Sequence, residues 1–162
     1  GHTRIAWVGG PLSVSTFHNR YLGYKKAMED FELSASERYI FNTDTSKQDI
    51  ALAFEKLKNL EDRPTAICGG SDSLALFLMD EAFQHGFSIR NDLSMIGIDN
   101  VDMSKHGSIQ LTTVGSISEE NLGFLAIQEL IEMIENKKNS CTQITESVKV
   151  FKRSTTRALK TN

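Results

Sequence analysis

The sequence predicts an α/β fold in which a parallel sheet carries helices on both faces, giving three layers, α/β/α. Short apolar runs alternate along the chain with segments of helical periodicity, and the links between them are brief. Two of the apolar runs, residues 3–10 and 65–70, end in paired glycines, which is typical of buried parallel strands entering a loop. Strands that alternate with helices through short links form parallel sheets covered on both faces.

The first half of the chain contains the clearest helix. Apolar residues recur there at spacings of four, three, four and three, which predicts one helix face: Phe17, Tyr21, Tyr24, Met28 and Phe31. We expect Ser15 or Thr16 to cap the start of this helix. A short strand is expected at residues 39–41. Residues 45–48 fit the capping-box pattern, so a second helix is expected to begin at Thr45.

The second half continues the alternation. A helix is expected after residues 65–70, with Ser71 or Asp72 as its cap and Gly86 as its left-handed stop. Residues 95–98 and 111–114 are the next extended runs, followed by a long helix over about 118–135. Residues 145–152 alternate as a half-exposed strand. The polar tail from Thr155 onward is expected to be frayed.

Composition excludes several classes of protein. The 162 residues are 40% hydrophobic and carry a net charge of −3 without a basic patch, so this part alone should not hold DNA through phosphate contacts. No apolar run approaches the roughly 20 residues of a membrane span, and no signal peptide opens the sequence. We therefore expect a cytoplasmic protein that makes no membrane contact.

The residues that usually hold metals and cofactors are scattered. Cys68 and Cys141 lie far apart without histidines at ligand spacing, which predicts neutral thiols in a reducing compartment. The four histidines are dispersed, so we expect no metal site. The glycines at residues 9–10 and 69–70 let the backbone pass close to a ligand. They lack the nucleotide phosphate-loop and dinucleotide patterns, so no cofactor is expected.

Seven short motifs, in order across nearly the whole chain, resemble the effector-binding core of the LacI/GalR family of transcription regulators. They are residues 1–13 (GHTRIAWVGGPLS); Arg20, Gly23, Tyr24 and Ala27; residues 64–67 with Ser71, Asp72 and Ala75; residues 96–100 (IGIDN); residues 111–114 (LTTV); Gly123 and Ala126; and residues 153–155 (RST). Each motif is weak alone, and their order makes the signal strong. The resemblance implies half of a type I periplasmic-binding-protein-like fold.

The resemblance also implies a domain organisation. Residues 1–114 and 144–157 correspond to the second core subdomain, and residues 115–143 to a segment that normally belongs to the first. Family members begin with a helix-turn-helix head and a hinge helix, which are absent from these residues. We expect the apolar face of the helix over about 118–135 to pack on another copy, or the chain to be a fragment of a longer one, since exposing it would cost several kcal/mol at about 25 cal/mol per Å².

Ligands of parallel sheets bind beyond the carboxyl ends of the strands, which directs attention to residues 9–16, 41–44, 69–72 and 99–100. By resemblance, Arg20 reaches the effector, and its planar guanidinium suits adjacent hydroxyls or a carboxylate. The alternative is a surface or ion-paired arginine. Asp99 ends a strand, where its carboxylate can accept two bonds from vicinal sugar hydroxyls; the alternative is a helix cap or turn former.

Five further residues are weaker candidates for the effector site. Asp72 is expected to contact the ligand or simply to cap its helix. Ser71 stands where the family commonly has Asn, so its reach is shorter. Ser13 and Thr16 (with Ser15 beside them) either line the mouth or are solvated loop residues. Asp44 stands where many relatives have a stacking aromatic residue, which implies a more polar ligand or an aromatic wall supplied by the other half.

The sequence leaves three functions to weigh. The first is a non-enzymatic sensor, dimeric by resemblance, that binds a sugar or sugar phosphate and controls operator DNA only through the absent head. Related catabolite-control regulators imply a phosphocarrier protein as a further possible corepressor. The second is the sugar-binding protein of a transport system with the same two-lobed fold. The third, an enzyme, lacks any catalytic constellation among these residues, so we expect no catalytic residue.

Overall fold

The computed structural model describes residues 1–117, 122–135 and 143–159. The strands are β1 (Ile5–Gly9), β2 (Ile40–Asn42), β3 (Ala66–Gly69), β4 (Ser94–Ile98), β5 (Thr112–Ser116) and β6 (Val148–Phe151). The helices are α1 (Ser15–Asp30), α2 (Lys47–Lys58), α3 (Asp72–Gln84) and α4 (Leu122–Glu135). Two short 3₁₀ turns, Glu37–Tyr39 and Asp102–Lys105, complete the elements of the described residues.

The strands form one sheet in the order β2-β1-β3-β4-β5-β6. All neighbours pair in parallel except β6, which runs antiparallel to β5. The predicted α/β fold with a parallel sheet is therefore confirmed, with an antiparallel strand added at one edge. Because β1 lies between β2 and β3, the chain changes direction across the sheet at β1. Open sheets of this kind bind their ligands beyond the carboxyl ends of the strands.

Alternate residues of the strands face two separate apolar clusters. On one face, Ala6 and Val8 of β1 pack with buried side chains of α2 and α3, including Phe54 and Leu78. On the other face, Trp7 packs with two buried side chains of α1, Tyr24 and Met28. Helices therefore cover both faces of the sheet, and the expected three-layer arrangement follows from the period-two pattern of the strands.

Two of the predicted helix caps are wrong. Helix α1 starts after Val14 without a side-chain cap, so neither Ser15 nor Thr16 has that role. Helix α2 is capped by Ser46, whose hydroxyl accepts a 3.2 Å hydrogen bond from the backbone N–H of Asp49. Thr45 has a left-handed backbone (φ 71°), whereas a capping residue is normally extended, so the cap lies one residue later than predicted.

The remaining predicted helix ends are a mixture of correct and untested positions. Of the two predicted caps of α3, Ser71 and Asp72, the structure shows Ser71. Gly86 follows that helix with φ 78°, as predicted for a left-handed stop. The predicted start of the last helix, at 118, lies outside the described residues. Within the parts of the chain that the structure describes, no helix combines the length and apolar character that a membrane crossing requires.

The prediction of a frayed tail from Thr155 is wrong for the first residues of that segment. Thr155 is buried, and its hydroxyl donates to the carbonyl of Met95 and accepts from the N–H of Thr112, both at 2.8 Å. Its own carbonyl accepts from the N–H of Met95 at 2.8 Å. The polar composition of the tail hid this role, because a threonine hydroxyl can satisfy backbone groups of two strands at once.

Candidate functional site

Arg20 of α1 and Asp99, which follows β4, meet beyond the carboxyl ends of the strands. The two side chains form an ion pair through Nη2 and Oδ1, and Nη1 lies 3.4 Å from Oδ2. Nη1 also donates a 2.8 Å hydrogen bond to the carbonyl of Gly70, which follows β3. The arginine thus joins α1 to the ends of β3 and β4, and the structure brings the two foremost predicted site residues together.

The pair is open to solvent. The Arg20 side chain is 23% exposed and that of Asp99 is 36% exposed. An ion pair with this exposure stabilises a fold by at most about 1 kcal/mol, because water and salt screen it. Breaking this ion pair to bind a ligand therefore costs the protein little free energy.

The backbone at Asp99 and Asn100 is held in an unusual conformation. Both residues have positive φ, 124° and 54°, which costs of the order of 1–3 kcal/mol for a residue with a side chain. Two hydrogen bonds to β5 hold this turn: Asp99 N–H to the Val114 carbonyl at 2.7 Å, and Asn100 N–H to the Thr113 hydroxyl at 3.3 Å. Strain of this kind is characteristic of functional loops, and here it presents Asp99 to Arg20.

Asp72 does not line the cavity beside the Arg20–Asp99 pair but holds the elements next to it. It is fully buried, and its carboxylate accepts hydrogen bonds from the Thr113 hydroxyl at 2.5 Å and from the Val101 N–H at 2.9 Å. It does not cap α3, which was the alternative interpretation, because Ser71 does. Gly97 lies against this carboxylate, so closely that a side chain at 97 would overlap Asp72 Oδ1. Its bonds link α3 to the loop after β4 and to β5.

The other predicted site residues are distributed around the same edge of the sheet. Ser71, at the start of α3, uses its hydroxyl to accept from the N–H of Leu74 at 3.2 Å. Ser13 and Thr16 are exposed beside the β1–α1 connection. Asp44 is exposed after β2, and its carboxylate accepts from the N–H of Ser46 at 2.8 Å. Hydrogen bonding by Ser46 lowers the pKa of Asp44 below its ordinary value.

A cavity of about 280 Å³ opens beside the Arg20–Asp99 pair. Its remaining lining mixes apolar and polar side chains: Ile98, Val114, Gly115, Ser116, Glu146 and Val148. None of the predicted site residues other than Arg20 and Asp99 belongs to this lining. The cavity thus combines the charged pair with an apolar wall, an arrangement suited to a small molecule that carries both hydroxyl groups and C–H faces.

Two polar residues of this cavity, Ser116 and Glu146, were not among the predicted site residues. Ser116 ends β5, so the strand-end rule that selected Asp99 would have found it had the strand been extended beyond Val114. Glu146 precedes β6, and the antiparallel pairing of Ser116 with Val148 brings that segment to the carboxyl edge. The direction of the last strand was the information that the sequence alone did not supply.

Arg153, which follows β6, fixes the loop beside Asp99. Its guanidinium donates to the Leu111 carbonyl at 2.6 Å, to the Ser104 hydroxyl at 3.2 Å and to Asn100 Oδ1 at 2.5 Å. Three bonds from one planar group hold the β4–β5 connection in register. Arg153 therefore positions the strained turn that carries Asp99.

A larger cavity, of about 600 Å³, lies elsewhere on the described structure and includes Arg4, Arg63 and Asp92 in its lining. Arg4 and Thr65 precede β1 and β3, so this cavity lies at the amino ends of the strands. Size alone would favour it. We assign the site to the smaller cavity because parallel sheets place their ligands at the carboxyl ends.

Groups of metal-binding or nucleophilic character are not assembled in the described part of the chain. No cluster of three or more His, Cys, Asp or Glu residues in residues 1–117, 122–135 and 143–159 is placed to hold a metal ion. Burial raises the pKa of the Cys68 thiol to about 12, so this thiol stays protonated at neutral pH. Cys141 lies outside the described residues.

Comparison with known proteins shows the family to which the chain belongs. Residues 1–156 match the family described as periplasmic binding protein-like domain. The HTH-type transcriptional repressor PurR of Vibrio atlanticus (strain LGP32) is 30% identical over 159 residues, which are 98% of this chain and 47% of that protein. PurR of Aliivibrio salmonicida (strain LFI1238) is 32% identical over 137 residues, which are 85% of this chain and 41% of that protein.

Solved structures agree. A LacI transcriptional regulator from Bacillus cereus subsp. cytotoxis superposes with a TM-score of 0.87 at 28% identity, covering 99% of this chain and 56% of that one. A LacI-family regulator from Enterococcus faecium with bound ribose gives 0.84 at 28% identity, with 99% and 59% covered. The lac repressor dimer bound to operator and the anti-inducer ONPF gives 0.80 at 25% identity, with 98% and 54% covered.

The chain belongs to the family of periplasmic binding protein-like domains. Within that family it corresponds to the effector-binding part of LacI-family regulators, as the seven motifs indicated. The chain spans about half the length of the curated relatives that it matches. Those relatives are transcriptional repressors rather than enzymes, which agrees with the expected non-enzymatic role.

Proposed function

We propose that the chain is the ligand-sensing part of a LacI-type transcription repressor and that it binds a sugar or a related hydroxyl-rich effector in the cavity beside Arg20 and Asp99. The ion pair between these residues, at the carboxyl edge of the sheet, is the observation that carries the proposal. The Enterococcus faecium relative holds ribose, which supports an effector of this class.

The chemistry of the pair suits vicinal hydroxyls. Asp99 is an acceptor with two oxygens, and Arg20 is a donor with a rigid fork. A sugar hydroxyl donates to a carboxylate while its oxygen accepts from a guanidinium, so one diol can bind both residues. Because the pair is partly exposed, the ligand exchanges an ion pair of low net value for charge-assisted hydrogen bonds.

The apolar face of α4 has a place in this proposal. Five of its large apolar side chains are about half exposed or more: Phe124, Ile127, Leu130, Ile131 and Ile134. By resemblance, residues 115–143 belong to the first core subdomain, while residues 1–114 and 144–157 form the second. We propose that the remainder of the first subdomain covers this face in the complete regulator.

Sensing requires a ligand that favours one of two states. In the proposed regulator, the effector binds between the two subdomains and shifts the population of the form whose paired heads fit operator DNA. The regulator is proposed to be a cytoplasmic homodimer that contacts DNA through an N-terminal head. A phosphocarrier protein as corepressor belongs to the same proposal by family resemblance.

A ligand screen tests the proposal. The full chain is titrated calorimetrically with ribose, glucose, galactose and fructose, and each titration is repeated with Arg20→Ala. We expect at least one sugar to bind and Arg20→Ala to weaken it at least about tenfold, the effect of losing one charge-assisted hydrogen bond. Arg38→Ala is the matched control, because Arg38 is an exposed arginine just before β2 and does not line the cavity. Unchanged affinity in Arg20→Ala would refute the site.

A further inference from the structure

Glu146 contributes an unsatisfied carboxylate oxygen at the effector cavity. Its Oε2 accepts a 2.5 Å hydrogen bond from the hydroxyl of Ser116, at the end of β5. Its Oε1 is buried and has no hydrogen-bond partner in the described structure. A buried acceptor without a donor is costly, and a charged acceptor more so. The missing donor is therefore an indication of what the cavity binds.

The charges around the cavity are unequal. Among the described residues that line it, Arg20 is the cation, whereas Asp99 and Glu146 are carboxylates. The guanidinium already binds Asp99 and the Gly70 carbonyl. The described lining therefore holds one more carboxylate than cations, whether or not the ion pair stays closed. An anionic ligand would have to enter a site that is negative overall.

The rest of the lining favours an uncharged ring. Ile98, Val114 and Val148 contribute apolar side chains to the same lining. Such side chains suit the C–H faces of a sugar and offer no donor to a phosphate. Phosphate recognition in proteins depends on free guanidinium or ammonium groups and on clustered N–H donors, which this lining lacks in the described residues.

We propose that Glu146 is a specificity-determining residue that selects an uncharged, hydrogen-bond-donating effector and rejects its phosphate ester. In this proposal a ligand hydroxyl donates a hydrogen bond to Oε1 of Glu146. Both carboxylate oxygens then accept a hydrogen bond, because Ser116 already donates to Oε2. This inference rests on the proposed function of the cavity and narrows its effector class from sugars and sugar phosphates to uncharged sugars.

Matched ligand pairs test the selection. The full chain and its Glu146→Gln variant are titrated calorimetrically with ribose and ribose 5-phosphate, glucose and glucose 6-phosphate, and fructose and fructose 6-phosphate. We expect an uncharged member to bind the native chain at least about tenfold more tightly than its ester, and Glu146→Gln to reduce that ratio to below about threefold, since the amide removes the repulsion. Glu37→Gln, an exposed carboxylate before β2, is the control of equal charge change.

The outcomes separate this inference from the proposed function. Two results overturn the role of Glu146 and leave the proposed sugar site standing. In the first, sugars bind but Glu146→Gln leaves the ratio of sugar affinity to ester affinity unchanged. In the second, an ester binds the native chain as tightly as its sugar. Failure of all six compounds to bind overturns the sugar-sensing proposal and this inference with it. Circular dichroism verifies that the variant folds; should it not, the ratio for the native chain decides alone.

Discussion

The hydroxyl of Thr113 in β5 donates a 2.5 Å hydrogen bond to the carboxylate of Asp72 at the start of α3, and both residues are fully buried. The other oxygen of Asp72 accepts from the N–H of Val101. This one carboxylate thus joins α3 to β5 and to the loop after β4, which carries Asp99. A fully buried residue therefore holds the walls of the cavity beside Arg20 and Asp99 in place.

Removing this carboxylate should destabilise the fold. Asp72→Ala leaves the Thr113 hydroxyl and the Val101 N–H without their partner, and we expect the free energy of unfolding to fall by about 2–4 kcal/mol, since each buried unpaired group costs about 1–3 kcal/mol. Urea denaturation monitored by circular dichroism measures the change. Asp80→Asn, an exposed position on the same helix, should change stability little. Equal stability of the two variants would contradict the account.

The fork of Arg153 should not be replaceable by lysine. Arg153→Lys keeps the charge but cannot reach Leu111, Ser104 and Asn100 together, so we expect a loss of about 1–3 kcal/mol. The same variant should weaken sugar binding, because Asn100 borders Asp99. Lys152→Ala, at the exposed neighbouring position, is the control. A variant with native stability and native affinity would show that Arg153 does not position the turn.

The hydroxyl group of Thr155, and not only its volume, should be required for stability. Thr155→Val keeps the volume but removes the acceptor for Thr112 N–H and the donor to the Met95 carbonyl. We expect a loss of about 1–3 kcal/mol in thermal or urea unfolding. Thr3→Val, at an exposed threonine, supplies the comparison. If both variants unfold alike, the segment after β6 contributes nothing through this hydroxyl.

The Cys68 thiol should make stability depend on pH at the alkaline end. Its pKa is raised by burial from an ordinary 9.0 to about 12 in the folded chain. The folded state therefore keeps a proton that the unfolded state loses, so this contribution is fully present below pH 9 and declines as the pH rises from 9 toward 12. Urea unfolding at pH 8 and pH 10 measures it. Cys68→Ala should show a smaller decline than the native chain; an identical decline would contradict the assignment.

The sequence predicted the parts of the fold that depend on periodicity. The apolar faces of α1 and α3 and the alternation in β1 were recognisable because burial repeats with the period of the element. Phe31, predicted as the last residue of the α1 face, is an exception, because the helix ends at Asp30 and Phe31 is 77% exposed. Asp99 was found because a parallel sheet brings its strand ends to one edge, whereas Arg20 was found through the resemblance of residues 20–24 to a family motif. That edge followed from the order of elements alone.

Other features depend on backbone angles or on contacts between distant segments, which periodicity does not encode. Thr45 lost the cap of α2 to Ser46 because its own backbone is left-handed. Thr155 was expected to fray, yet it satisfies backbone groups of two strands. Glu146 reaches the cavity only because β6 runs antiparallel to β5. In each case the pairing partner lies elsewhere in the chain or the backbone angle decides.

A double-mutant cycle on Arg20 and Asp99 tests whether these residues act together on the effector. Calorimetric affinities for the sugar that binds most tightly are measured for the native chain, Arg20→Ala, Asp99→Ala and the double variant. Each single change should weaken binding at least about tenfold, and the double variant should lose at least about 1 kcal/mol less than the sum of the two, because one ligand group contacts both residues. Losses that add within about 0.5 kcal/mol, or affinities that stay native, would contradict the account.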